Sequence, residues 1–127
     1  MKLSNLNTAA YGLILALVAV APMQVQAADG AKVFKKCKAC HSLETGKHKL
    51  GPSLAGVVGR KAGTADGYTK YKGLKDADWT WTEVELMAYL ENPTVYTKAK
   101  TGNRSSMSLK LKKEDQRKAV INFLKSH

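Results

Sequence analysis

The chain has 127 residues and two cysteines, enough for one domain and no more. Its 21 Lys and Arg against 10 Asp and Glu leave a formal charge of +11, which favours acidic partners or anionic surfaces. Nucleic acid is the usual inference from such a balance, but the basic residues run from Lys32 to Lys125 instead of forming one arm, and the N-terminus carries an export signature.

That signature is Lys2, an apolar run from Ala9 to Pro22 and a small-residue exit at Val25-Gln26-Ala27-Ala28, the pattern of a secretory signal peptide. The run is short for a membrane span of about 20 residues, so cleavage is expected over an uncleaved anchor. Residues 1–27 are read as the signal, with cleavage after Ala27 or Ala28, and residues 28–127 as the single domain. Only Lys2 leaves with the signal, so the domain carries about +10. Two Phe, two Trp and two Ile are thin for such a domain, and small domains often lean on a metal, a disulfide or a cofactor.

Asp29 is placed to cap a first helix, in which Gly30, Val33, Phe34, Cys37 and His41 recur at three- and four-residue steps and mark one buried face. Over residues 42–80 glycines punctuate the chain without a period-two pattern, which predicts a loop-rich middle with a short helix near 68–74. Thr82-Glu83-Val84-Glu85 reads as a capping box. It opens a helix with Leu86, Tyr89 and Leu90 inward, stopped by Pro93. A polar loop is expected over 94–110 and a last helix over 112–126, its early Glu114 and Asp115 and late Lys125 matching the helix dipole. Val120, Phe123 and Leu124 form its apolar side. The sum is an all-α domain of three to five helices, with loops long enough to wrap something.

Cys37-Lys38-Ala39-Cys40-His41 is a Cys-x-x-Cys-His motif, which reads as haem attachment. Two thiols three residues apart on a helical turn lie on one side and can add to the two vinyl groups along one haem edge. His41 then turns its imidazole toward the iron from the same face. A thioredoxin-like dithiol would want a βαβ context. A structural zinc site needs four ligands; His41, His48 and the two cysteines supply them but leave the rest of the chain unexplained. One haem carries one electron, and the second axial position separates small-ligand binding at an open site from electron transfer at a filled one. Met87, Met107, His48 and His127 are the candidates. Met87 follows the inward Leu86 on a helix, where packing explains it. His48 is only seven residues from His41. Met107 stands in Arg104-Ser105-Ser106-Met107-Ser108 with no apolar stripe to account for it, and is the best of the four.

With these residues in hand the chain resembles a class I cytochrome c, in particular the small bacterial periplasmic cytochromes of the c-two type, over everything after the signal. Lys49-Leu50-Gly51-Pro52-Ser53-Leu54 with Gly59-Arg60 resembles the family's proximal loop. The resemblance implies that the Pro52 carbonyl takes the proximal imidazole's proton and that Arg60 lies near a haem propionate. Trp79-Thr80-Trp81-Thr82 and residues 86–93 resemble the next segment, which implies that Trp81 bonds a propionate and that Tyr89 lies beside the methionine ligand. Gly67-Tyr68-Thr69-Lys70-Tyr71 is similar to the stretch giving a propionate-bonding tyrosine, and Tyr71 is chosen there, with Tyr68 open. Residues 107–113 resemble the pattern around the ligand, and Gly30, Phe34, Val120 and Phe123 the crossing of first and last helices. The departures are Leu109 where the family has Phe, Arg104-Ser105-Ser106 before the methionine, and a longer 93–107 segment.

The resemblance implies a class I cytochrome c fold and an electron-transfer protein, not an enzyme: a soluble, periplasmic, monomeric carrier with one haem c. Cys37 and Cys40 would hold the haem, and His41 and Met107 would ligate its iron. The implied partners are acidic docking surfaces on a cytochrome bc1-type complex and on a terminal oxidase, reductase or photosynthetic reaction centre. No nucleic-acid partner is implied, and no stable membrane insertion after cleavage. A haem enzyme or ligand sensor would need an open iron site and a distal acid or base, and the middle of the chain offers no convincing distal histidine.

Overall fold

The computed structural model describes residues 24–127, so the apolar run of the expected signal lies outside the described residues. Four helices appear within them: α1 (Gln24–Phe34), α2 (Glu83–Glu91), α3 (Pro93–Thr101) and α4 (Glu114–Leu124). Among the described residues the sheet-like pairing amounts to one isolated antiparallel bridge, Lys61 with Thr80. The domain is all-α, and none of its described helices is long and apolar enough to cross a membrane. Asp29 stands inside α1 instead of at its cap, because the strong helix formers Ala27 and Ala28 carry the helix through.

α1 crosses α4 at Gly30. A Cβ there would overlap the Ala119 carbonyl oxygen and lie 2.5 Å from Phe123 Cβ, so only a hydrogen lets the two backbones meet. Phe34 packs on Phe123 with ring centroids 5.5 Å apart, and Val120 is buried beneath them in the core with Leu86, Leu90, Leu111 and Ile121. The four residues expected at the crossing are at the crossing.

The middle of the chain is held by turns. Gly59 N–H donates to Trp81 O, Trp81 N–H to Arg60 O and Ala62 N–H to Trp79 O, each at 2.8 Å. The short helix expected near 68–74 is absent; residues 68–71 are irregular, with a bend at 72 and a turn from 73. Seven residues repay the cost of helix nucleation poorly, and the Tyr68 hydroxyl donates instead to the Leu50 carbonyl at 2.6 Å.

α2 begins as expected at Thr82, whose hydroxyl accepts from Glu85 N–H at 3.2 Å. It ends at Asn92, and there the expectation of a polar loop over 94–110 fails. Asn92 Oδ1 accepts from Val95 N–H at 3.3 Å and opens α3, with Pro93 in its first turn and Gly102 in the left-handed conformation closing it. α3 escapes a search for apolar stripes because its buried residues are Pro93 and Thr97. The irregular segment that carries Met107 is correspondingly short, from Gly102 to Lys113. α4 starts at Glu114, slightly later than expected, and buries Val120, Ile121 and Leu124.

Candidate haem-binding site

The attachment motif follows α1 as a tight turn. Cys37 N–H donates to Phe34 O at 2.8 Å, and His41 N–H to Cys37 O at 2.9 Å. The two cysteines are not joined to each other, and Cys37 is buried while Cys40 is exposed. Burial first, and Cys40 second, push the Cys37 thiol up against the pull of Lys36.

His41 Nδ1 lies 2.7 Å from the Pro52 carbonyl oxygen. A carbonyl only accepts, so Nδ1 carries the proton and the free lone pair is on Nε2. Burial lowers the His41 pKa, Arg60 and Lys49 lower it further, and the Pro52 bond opposes them. A neutral, oriented imidazole with Nε2 free is in the state that ligates a metal. The ring rests against Gly51, where a Cβ would overlap Cε1 and stand 2.7 Å from Nδ1. Gly51 N–H donates to Cys40 O at 2.8 Å, so the loop is tied back to the motif it supports.

Arg60 secures the next stretch of this loop, donating to Ser53 O at 3.1 Å and Ala55 O at 3.0 Å. Its Nε is buried without a partner, and so is Trp79 Nε1 on the paired segment. A buried donor left unpaired costs about 1–3 kcal/mol, and an anionic group such as a propionate satisfies donors of this kind. Trp81 is buried 4.7 Å from Tyr89, ring to ring, and 5.7 Å from Trp79. Tyr71 accepts from Ala65 N–H at 3.0 Å, which leaves its own proton free to give. The Tyr68 proton is already committed to Leu50 O. Of the two tyrosines, Tyr71 retains a donor.

On the other side the Tyr89 hydroxyl donates to Met107 Sδ at 3.6 Å. Burial pushes the Tyr89 pKa up, with Ser105 opposing and Tyr71 reinforcing, so the hydroxyl keeps its proton. Met107 N–H donates to Ser105 Oγ at 3.1 Å. The rival axial candidates are engaged elsewhere. His48 Nδ1 accepts from Ser53 N–H at 3.0 Å, so its Nε2 carries the proton to Asp66 O at 2.8 Å and no lone pair remains. His127 Nδ1 meets Phe123 O at 2.8 Å at the end of α4. Met87 lines a groove with Val84 and Ile121, between α2 and α4.

Four residues of this environment were not singled out from the sequence. Ser105 braces Met107, Trp79 adds an orphan donor, and Tyr96 joins the ring cluster 5.6 Å from Tyr89. Arg117, buried on α4, donates to Leu111 O at 2.7 Å and Lys112 O at 2.9 Å, fixing the chain just beyond Met107. For Trp79 a signal exists: two residues before Trp81 in extended backbone puts both rings on one side.

Comparison with known proteins converges on one group. The family described as cytochrome c matches residues 27–127. Cytochrome c2 of Rhodospirillum rubrum is 41% identical over 107 residues, covering 79% of this chain and 96% of that protein. Cytochrome c2 iso-2 of Magnetospirillum molischianum is 44% identical over 99 residues, covering 78% and 98%. The solved structure of cytochrome c2 from Rhodospirillum centenum superposes with a TM-score of 0.73 at 34% identity, over 79% of this chain and 96% of the other.

Proposed function

The chain belongs to the cytochrome c family, and from that premise we propose that it is a periplasmic one-electron carrier whose single haem iron is ligated by His41 and Met107. It is an electron-transfer protein and not an enzyme, and its cofactor is covalently attached haem c. When bound, that haem supplies an iron that alternates between ferrous and ferric states. Cys37 and Cys40 are the thiols for its attachment. Pro52 O holds His41 in the tautomer that leaves Nε2 to the iron. Arg60, Tyr71 and Trp81 serve the propionates. Met107, a neutral thioether, favours the ferrous form and so raises the potential, and the Tyr89 hydroxyl polarises its sulfur.

The observation that carries this reading is the pairing of two differently made ligands: a neutral imidazole with its lone pair on Nε2, and a thioether already met by a buried hydroxyl. A filled axial position of this kind suits electron transfer over small-ligand chemistry. Residues 1–27 are proposed as a cleaved export signal. Cleavage there would leave Asp29 in the first turn of α1, where a carboxylate is favoured by the dipole. The proposed electron donor is a bc1-type complex. The proposed acceptor is a terminal oxidase, a reductase or a photosynthetic reaction centre, met by a monomeric carrier through acidic docking surfaces. The charge of the domain supports the choice of acidic surfaces.

Mass spectrometry of the purified mature protein tests the proposal at its root. It should find a chain beginning at Ala28 or Asp29 plus the mass of one haem that survives denaturation. A Cys37–Cys40 disulfide with no added mass overturns it.

A further inference from the structure

One carboxylate ties together the two helices that precede Met107. Glu85 of α2 does not close the capping box with Thr82; it turns toward α3. Its Oε1 accepts from Lys100 Nζ at 2.9 Å, and its Oε2 accepts from the Tyr96 hydroxyl. Tyr96 and Lys100 stand one turn apart on α3, so a single group from α2 grips two successive turns. The ammonium also lies 4.9 Å from the Trp79 ring centre and 5.3 Å from that of Tyr96. The Lys100 and Glu85 side chains are 34% and 28% exposed, so water screens this pair less than a pair on the open surface.

α3 leads directly into the segment that carries Met107. The Tyr96 ring stands edge-on to Tyr89, whose hydroxyl meets the Met107 sulfur. At the end of α3 the Thr101 hydroxyl donates to Gly73 O at 2.9 Å and accepts from Asn103 N–H at 3.1 Å. Met107 follows six residues after Thr101. Freeing α3 therefore loosens both the strand of chain that presents the sulfur and the ring that backs the Tyr89 hydroxyl.

We propose that Glu85 is a positioning residue for the axial methionine: by holding Tyr96 and Lys100 it sets how readily Met107 leaves the iron. The proposal rests on the reading of Met107 as the ligand. Its test is imidazole binding to the ferric holoprotein, at concentrations where departure of the native ligand limits the rate. Methionine-to-iron absorption and denaturant unfolding are followed alongside.

Glu85→Gln should keep the absorption at rest and bind imidazole about tenfold faster, the size expected for losing a charge-assisted bond. Lys100→Met, which keeps the stem and removes the charge, should give a smaller increase of about threefold. Glu83→Gln removes the same charge from the same helix, but its carboxylate pairs with Lys125 and not with α3. It should leave the rate within about twofold of the parent. A Glu85→Gln rate equal to that of Glu83→Gln overturns the proposal, as does an increase merely proportional to the loss of global stability. Persistence of the absorption in Met107→Ala overturns the ligand reading instead, whatever Glu85 does.

Discussion

The two sides of the proposed iron site are built from different materials. His41 is fixed largely by backbone: its Nδ1–H by Pro52 O, its own N–H by Cys37 O, its ring by the bare Cα of Gly51. Arg60 then ties down the carbonyls of Ser53 and Ala55 beyond it. Met107 is held by side chains instead, the hydroxyls of Tyr89 and Ser105, and its segment is bounded by α3 and α4. Local turns keep their geometry as long as the turn exists. Side-chain contacts from another helix last only while that helix stays docked, and local opening begins where such ties are few. The comparison teaches that, of the two proposed ligands, the thioether rests on contacts easier to loosen than those of the imidazole.

The largest expected effect falls on that weaker side. Met107→Ala should abolish the methionine-to-iron absorption, admit added ligands to the ferric iron and lower the potential, because a neutral thioether favouring ferrous iron is gone. Loss of the absorption in Met87→Ala, with retention in Met107→Ala, would reverse the assignment. Next comes the proximal side. Gly51→Ala forces a methyl group into the His41 ring, and overpacking of this kind costs about 1–3 kcal/mol. Ser105→Ala removes one hydroxyl at the distal segment and should cost about 1 kcal/mol. Equilibrium unfolding of the two holoproteins compares them. Equal losses would mean that the proximal loop yields as easily as the distal one, and the contrast between them would collapse.

The same asymmetry decides what could be read from the sequence. On the proximal side the motif was legible from its own spacing and Pro52 from the family resemblance, and the contact is local, all of it within sixteen residues. The helix crossing came from the family resemblance, and the close approach at Gly30 and the Phe34–Phe123 pair give its physical reason. The distal side depends on competition between distant groups, which a linear pattern does not rank. Glu85 satisfies a capping box on paper, but Tyr96 and Lys100 outbid the backbone amide for its carboxylate. α3 has start and stop signals, Asn92-Pro93 and Gly102, yet no apolar stripe. Arg117 reads as one more solvated helix charge, although its guanidinium is buried on the carbonyls of Leu111 and Lys112 and 3.8 Å from Glu91. A buried cation is rare enough that composition does not anticipate it.

A smaller effect isolates one distal contact. Tyr89→Phe keeps the ring that packs on Trp81 and deletes the proton donated to Met107 Sδ. That donation draws electron density from the sulfur and disfavours ferric iron, so its loss should lower the midpoint potential. A weak hydrogen bond of about 0.5–1 kcal/mol corresponds to about 20–40 mV for a one-electron couple, on the scale where tenfold is 59 mV. Redox titration measures the shift. An unchanged potential would leave Tyr89 a packing residue and Met107 with Ser105 alone.

The smallest expected effect per residue asks whether partners sense the two sides differently. Lys38 is exposed within the attachment motif, and its backbone carbonyl accepts from Lys49 Nζ at 2.6 Å, which holds the Lys49 ammonium beside the motif. Lys110 is exposed three residues beyond Met107 and shares a cleft with Lys112, Glu91 and Tyr96 on the distal side. Charges at the rim act mainly on the rate of encounter, since long-range attraction steers association more than it strengthens the final contact. Second-order electron transfer to an acidic partner should therefore slow steeply with salt, as the screening length falls from about 10 Å at 0.1 M to about 3 Å at 1 M, while the potential stays nearly fixed. At low salt Lys38→Glu and Lys110→Glu should each slow association a few-fold. Lys75→Glu should do less. It is a cleaner control than Lys125→Glu, which would set a second carboxylate against Glu83 and disturb α2 and α4. Equal slowing from Lys38 and Lys110 means the partner meets the haem edge squarely, across both sides. Slowing confined to Lys38 means it approaches over the proximal loop, leaving the methionine segment outside the interface. A rate that ignores salt, or equal losses at Lys38, Lys110 and Lys75, means the lysines keep the protein in solution and docking lies elsewhere.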